Sequence, residues 1–342
     1  MDLLVWLLPS AAILSCLFTW LLRRYALTHS LIDVPNERSS HTVPTPRGGG
    51  VSVVIAFLLG VVCLAAAGLV GWPSATGFIG AGAVVALLGF LDDHGHIAAR
   101  WRLLGHFAGA AWLLAWLGGL PSLVFLETPL DLGWAGHMLG AVLLVWLLNL
   151  YNFMDGIDGI ASVEAVTVCL GGALAAALVG EPVIAAAPLI MAAAVAGFLV
   201  WNFPPARIFM GDAGSGFIGI MLGGMMIWSS WAAPQLFWSW LVLLGVFVVD
   251  ATYTLIQRLV RGEKVYEAHR SHAYQHAART LGGHRPVTLA AGAINLFWLL
   301  PCASLVALGW LDGLLGVFIA YTPLIILAVY FRGGNRAAQE KS

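Results

Sequence analysis

The sequence predicts an all-α, polytopic integral membrane protein of about eleven transmembrane helices, N-terminus outside and C-terminus in the cytoplasm. One observation is composition: the chain is 60% hydrophobic and 10% charged, against roughly a quarter charged in a soluble domain. No soluble fold of 342 residues could hide that much apolar surface. Another is that apolar stretches of spanning length recur along the chain. The third is charge placement. The basic residues sit in short patches that alternate with the apolar stretches so as to fall on a single side. They are Arg23, Arg24, Arg38 and Arg47; Arg100 and Arg102; Arg207; Arg258, Arg261, Lys264, Arg270, Arg279 and Arg285; and Arg332, Arg336 and Lys341.

A crossing helix needs roughly 20 apolar residues. Spans of that length fall near 3–22, 50–70, 74–91, 103–119, 136–152, 159–179, 184–202, 213–231, 236–257, 288–308 and 313–331. The first is followed by Arg23-Arg24. A signal peptide carries its charge before the apolar run and a small-residue cleavage site after it. The reversed order makes 3–22 a first membrane helix with its N-terminus outside. Connections on the far side, near 71–73, 120–135, 180–183, 232–235 and 309–312, carry Glu127, Asp131, Glu181 and Asp312 but no Lys or Arg. The positive-inside rule then puts the basic loops in the cytoplasm. Residues 1–342 read as one transmembrane domain, with cytoplasmic loops at 23–49, 92–102, 153–158, 203–212 and 258–287. Cys16, Cys63, Cys169 and Cys302 stand singly in apolar segments and read as small core residues. Net charge is -1 and gives no pointer to nucleic acid. Oligomeric state is not legible.

The same basic loops hold nearly all the groups that could do chemistry. Asp92-Asp93 stand at a helix C-terminus, where they repel each other and meet the negative end of the dipole. A cation or a proton-transfer role would compensate; a solvated loop start is the plain alternative. Asn149, Asn152, Asp155 and Asp158, with Gly156 and Gly159, interrupt an apolar stretch. Hard oxygen donors of this kind suit Mg²⁺ or Mn²⁺ with phosphates rather than Zn²⁺. Asp212 precedes a membrane helix in a position to hold a metal, and the amides of Gly214 to Gly216 could face a phosphate. Residues 214–219 match G-x-G-x-x-G, but no βαβ unit surrounds them, so a dinucleotide fold is rejected. With only two lysines there is no Walker motif either.

Two further loops are polar. Glu267 to His276 carries His269, Arg270, His272 and His276. The three histidines share a face if the segment is helical; phosphate contact fits better than zinc, and a solvated interface helix is the plain alternative. Pro35 to Gly50 brings Arg38 and Arg47 to the glycines Gly48-Gly49-Gly50 that open a helix, an anion site or an ordinary turn. Asp250 and Glu164 either pack or line the site.

Together the motifs Arg47-Gly48-Gly49, Asp92-Asp93, Asn149-x-x-Asn152-x-x-Asp155-Gly156-x-Asp158-Gly159 and Gly211-Asp212-x-Gly214-Ser215 resemble the polyprenyl-phosphate N-acetylhexosamine-1-phosphate transferases, the MraY/WecA-type family. The resemblance runs from residue 35 to 276 in the family's order. It implies transfer of a sugar-1-phosphate from a UDP-N-acetylhexosamine to undecaprenyl phosphate, with UMP released, at the cytoplasmic face of a bacterial inner membrane. It further implies Asp92 as base, Asp93 as its helper and cation ligand, and Asp212 as a Mg²⁺ ligand, with direct attack by the lipid phosphate or a covalent phospho-intermediate on an Asp as the two routes. Arg47, Gly48, Asn149, Asn152, Asp155, Asp158, His269, Arg270 and His272 would bind substrate, and Mn²⁺ could replace Mg²⁺. The pentapeptide-carrying branch has consecutive histidines in its last loop; His269-Arg270-Ser271-His272 departs from that. The Lys sometimes found after the paired Asp is replaced by His94-Gly95-His96. These departures favour the O-antigen-initiating branch, with UDP-GlcNAc or a UDP-FucNAc-like donor. Competing readings are a transporter, which would place its polar groups at the bilayer midplane, and a CDP-alcohol phosphotransferase, whose D-G-x-x-A-R pattern fails at Asp158-Gly159-Ile160-Ala161-Ser162.

Overall fold

The computed structural model describes residues 2–29, 31–35, 43–95, 97–126, 128–263 and 270–335. The protein is an all-α polytopic membrane protein. Each predicted span has a helical counterpart. These are α1 (Asp2–Thr28), α2 (Val51–Ala66), α3 (Trp72–Gly95), α4 (Ala99–Leu117), α5 (Gly133–Met154), α6 (Ile160–Leu178), α7 (Ala186–Asn202) and α8 (Asp212–Ser230). Then come α9 (Gln235–Leu243) and α10 (Gly245–Val260), the short α11 (Ala273–Thr280), α12 (His284–Ile294) leading through a π-turn at Asn295–Leu299 into α13 (Leu300–Ala307), and α14 (Gly313–Tyr330). Two small antiparallel ribbons complete the described residues: β1 (Ile32–Asp33) with β2 (Thr45–Pro46), and β3 (Leu123–Phe125) with β4 (Thr128–Leu130).

Among the described residues, seven helices are long and apolar enough to cross a membrane, and an eighth crossing results if α9 and α10 form one bent span. The shorter apolar helices are α2 and α7, of 16 and 17 residues. At a rise of ~1.5 Å per residue they reach only about 25 Å. α4 carries Arg100 and Arg102 in its first turns.

Several boundaries differ from the sequence reading for identifiable reasons. α1 continues to Thr28, so Arg23 and Arg24 are helical, with Arg24 stacked on Trp20. α3 runs past the paired carboxylates to Gly95. The span expected at 236–257 is broken at Leu244 and bends by 71°. Glu164 has zero exposure and accepts from Asn295 Nδ2 at 2.7 Å. It therefore belongs to the packed interior rather than to the polar end.

α8 is the axis of the bundle: 94% of its spanning window is buried, against 22% for α1. It packs on α3 and α5, and its glycines let those neighbours approach closely. α1 and α2 lie against α7, and α14 lies against α10. Centring the bundle on α8 places its N-terminus, Asp212, among the ends of α2, α3 and α5.

Candidate active site

The glycine-rich segment before α2 is laid directly on the approach to α8. Phe209 N–H donates to Pro46 O at 2.8 Å; Gly49 and Gly50 N–H donate to Phe209 O and Met210 O at 2.9 and 2.8 Å. Here the two backbones nearly touch. A Cβ on Gly50 would stand 2.5 Å from Gly214 Cα, and one on Gly214 would stand 2.6 Å from Gly50 Cα. Only glycine fits both positions. The amides expected to be free for a phosphate are thus largely used: Gly214 and Ser215 N–H both donate to Gly211 O at 3.1 Å.

This crossing sets Arg47 over the carboxylates. Its Nη2 is 3.0 Å from Asp93 Oδ1 and bonds Asp212 Oδ1. Asp93 also accepts the first two amides of α8, Asp212 N–H at 3.2 Å and Ala213 N–H at 3.4 Å. Those amides have no intrahelical acceptor, so a carboxylate on α3 caps the N-terminus of α8. Asp92 accepts Ile97 N–H at 2.7 Å and pairs with Arg102 Nη1, which also lies 3.8 Å from Asp212 Oδ2. Three aspartates from two helices therefore share two guanidinium groups. Burial alone would lower the Arg47 pKa, but the charges of Asp212, Asp93 and Asp33 hold it above its ordinary value.

The second aspartate cluster follows α5. Asn149 Nδ2 is used within the helix, on Val145 O at 2.7 Å. Asp155 accepts no hydrogen bond among the described residues, and Asn152 likewise has no side-chain bond there. Burial pushes the Asp155 carboxyl well above the usual range; Arg47 opposes that shift, while Asp212, Asp158 and Asp93 add to it. Asp158 has a structural part as well. Its Oδ2 accepts Ala206 N–H at 3.0 Å, Oδ1 lies 3.1 Å from His284 Nδ1, and its carbonyl accepts Thr288 Oγ1 at 2.7 Å. A cavity of about 450 Å³ opens beside it, lined by Pro204, Pro205, Phe209, His284 and Arg285.

The last loop docks on the same end. Asp250 Oδ1 accepts Ala273 N–H at 2.9 Å and lies 3.3 Å from His272 Nδ1, while Oδ2 accepts Tyr274 N–H at 2.8 Å. Tyr274 OH then reaches Phe153 O at 3.1 Å, and Gly156 leaves the space its ring occupies. His272 is 3% exposed and turned inward, preceding rather than joining α11, so it shares no helical face with His276. Arg270 lies just before it. His269 lies outside the described residues, as does Arg38.

Of the expected residues, the structure joins Arg47, Asp92, Asp93 and Asp212 through direct ion pairs, with Asp155 in their electrostatic reach. Gly48 lies beside them in the Arg47 turn. Sequence reasoning missed Arg102, although its place shortly after the paired aspartates was a signal. It also missed His284, for which the chain gives none. Hard carboxylate oxygens surround a point where a cation, the Arg47 guanidinium, is held between two helices. That donor chemistry suits a divalent metal. No group of three or more His, Cys, Asp or Glu converges as a preformed metal cage among the described residues.

A helical bundle of membrane-spanning composition thus carries a carboxylate–arginine cluster at one polar end. The sequence pattern of Glycosyl transferase family 4 matches residues 75–230, which include Asp92, Asp93, Asp155, Asp158 and Asp212. A probable undecaprenyl-phosphate N-acetylglucosaminyl 1-phosphate transferase of Bacillus subtilis (strain 168) is 28% identical over 321 residues, covering 92% of this chain and 87% of its own. A decaprenyl-phosphate N-acetylglucosaminephosphotransferase of Mycolicibacterium smegmatis is 27% identical, covering 97% and 89%. A phospho-N-acetylmuramoyl-pentapeptide-transferase of Moorella thermoacetica is 32% identical over 189 residues, covering 50% and 57%. The chain is thus similar to polyprenyl-phosphate transferases of the MraY/WecA type, with the family pattern over residues 75–230 and the first two relatives over nearly its whole length.

Proposed function

We propose that this protein transfers a HexNAc-1-phosphate from a UDP-N-acetylhexosamine to undecaprenyl phosphate. The donor is UDP-GlcNAc or a UDP-FucNAc-like sugar, and the step opens synthesis of an O-antigen or another cell-envelope polysaccharide. The observation that carries this reading is the joining of Asp92, Asp93 and Asp212 by Arg47 and Arg102 at the N-terminus of α8, in a chain similar to this family.

In the reaction a phosphate oxygen of the lipid attacks the sugar-bearing phosphorus of the donor. The bond from that phosphorus to the bridging oxygen breaks, and UMP leaves with that oxygen. Asp92 keeps the lipid phosphate deprotonated, and Asp93 sets the backbone around it. Arg47 and Arg102 are placed to exchange their carboxylate partners for diphosphate oxygens, as planar guanidinium groups do well. Asn152, Asp155 and Asp158 line the donor site, with Arg270 entering from the last loop. The cavity beside Asp158, which Phe209 helps to line, is of nucleotide-binding size. Asp93 and Asp212 would hold Mg²⁺, which neutralises diphosphate charge when bound.

The reading includes about eleven crossings, with N-terminus outside, C-terminus inside and the active site facing the cytoplasm of a bacterial inner membrane. The test is UMP release by purified protein with undecaprenyl phosphate and a panel of UDP-sugars, with and without a chelator. Lipid- and Mg²⁺-dependent UMP from one or two N-acetylated donors is expected. No UMP from any donor, in folded protein, overturns it.

A further inference from the structure

α14 ends at Tyr330, and Arg332 and Gly334, with φ of 56° and 81°, turn the chain back toward the bundle. The turn lands between the end of α10 and the start of α11. Gly334 N–H donates to Ser271 O at 2.6 Å, and Gly334 O accepts from Arg261 Nη1 at 2.6 Å. Arg261 Nη2 also bonds Asn335 Oδ1, while Asn335 O lies 3.1 Å from His276 Nε2. A Cβ on Gly334 would stand 2.5 Å from Gln257 Cβ, so the turn is seated against α10 as well.

Arg261 precedes the connection from α10 to α11, and Ser271 and His276 follow its exit. Two residues, Gly334 and Asn335, therefore fasten both ends of it. The exit is pinned from the bundle side too, by Asp250 on the amides of Ala273 and Tyr274. Arg270 lies between the two fastenings.

We propose that the Gly334–Asn335 turn is a positioning element, which holds the start of α11, whose Tyr274 and Gln275 meet Gly156, so that Arg270 just before it is set for contact with the donor diphosphate. The proposal rests on the transferase reading above. Released on its outer side, the segment would spend only part of its time in the binding arrangement. Apparent affinity falls in proportion to that fraction.

The test uses the full chain in detergent with Arg261→Gln, Arg261→Lys, Gly334→Ala and Asn335→Ala. Amide hydrogen exchange is read over residues 270–280, with α8 as internal reference. In Arg261→Gln and Gly334→Ala, exchange over 270–280 is expected to rise about tenfold, as loss of one or two hydrogen bonds implies. α8 should stay protected. KM for the UDP-sugar should rise by a similar factor while KM for the polyprenyl phosphate stays put, and Arg261→Lys should fall between. Should Gly334→Ala fail to accumulate, Asn335→Ala carries the same comparison. Unchanged exchange overturns the fastening; faster exchange with unmoved KM overturns the positioning role. If the wild type releases no UMP at all, the transferase reading and the positioning role fail together, and exchange then judges the fastening by itself.

Discussion

Asp93 on α3 caps the helix that Asp212 begins: its carboxylate accepts the Asp212 and Ala213 amides while both carboxylates share the Arg47 guanidinium. One carboxylate thus fixes the position of the other, and Arg47 balances the charge of both. Asp93→Asn should lose turnover and also about 1 kcal/mol of stability, the usual scale for a lost cap. Asp92→Asn and Asp212→Asn should abolish turnover with the protein folded and inserted. UMP release and thermal unfolding on the same preparations check this; near-normal turnover in any of the three removes that residue from the core of the site.

The crossing of α2 and α8 gives a second expectation. Gly50→Ala and Gly214→Ala each push a methyl into backbone, which cannot rotate away as a side chain could. Each should cost about 1–3 kcal/mol, and Arg47 should shift with the displaced segment, lowering activity further. A methyl on Gly48 meets nothing within 4 Å but forces φ of 97° on alanine, so Gly48→Ala should cost only about 1 kcal/mol. Equal unfolding temperatures for the Gly50 and Gly48 variants would contradict the close approach.

Much of this was legible in the chain. Hydropathy located the helices because a bilayer demands a long apolar run, and the motifs singled out Asp92, Asp93 and Asp212, which the fold joins through Arg47 and Arg102. What stayed hidden depends on contacts distant in sequence. Asp250 could have packed or lined the site; the structure uses it to hold α11. Glu164 looked similar and lies instead in the packed interior, bonded to Asn295 of the π-turn. The bend between α9 and α10 has no proline to announce it. Arg102 read as a topology signal, because its pairing with Asp92 appears only when α3 and α4 fold side by side.

Sidedness can be checked with exposed positions. Ser271 is only 5% exposed and makes a poor labelling site. Thr280 and Glu181 are exposed and lie on opposite sides of the predicted topology. In intact cells, Glu181→Cys should react with an impermeant maleimide, whereas Thr280→Cys should react only after permeabilisation. The reverse pattern would turn the protein over and place the carboxylate cluster outside.

The last loop should carry a pH dependence of its own. Burial, then the Arg279 charge, hold the His276 pKa below its ordinary value; Arg332 adds to this, while the Asn335 carbonyl and Asp250 oppose it. The folded protein therefore favours neutral His276. Its contribution to stability is fully present above the unfolded value of about 6.5 and is lost as pH falls through the lower folded value. His276→Gln keeps a donor for the Asn335 carbonyl but cannot titrate. Between pH 7.5 and 5 the wild type should lose more unfolding temperature than His276→Gln, by roughly 1–3 °C, because groups shared by both proteins cancel in the comparison. Protection factors over residues 270–280, taken relative to the intrinsic exchange rate at each pH, should fall on acidification in the wild type alone. Parallel curves for the two proteins would mean that protonating His276 does not weaken the hold of α11.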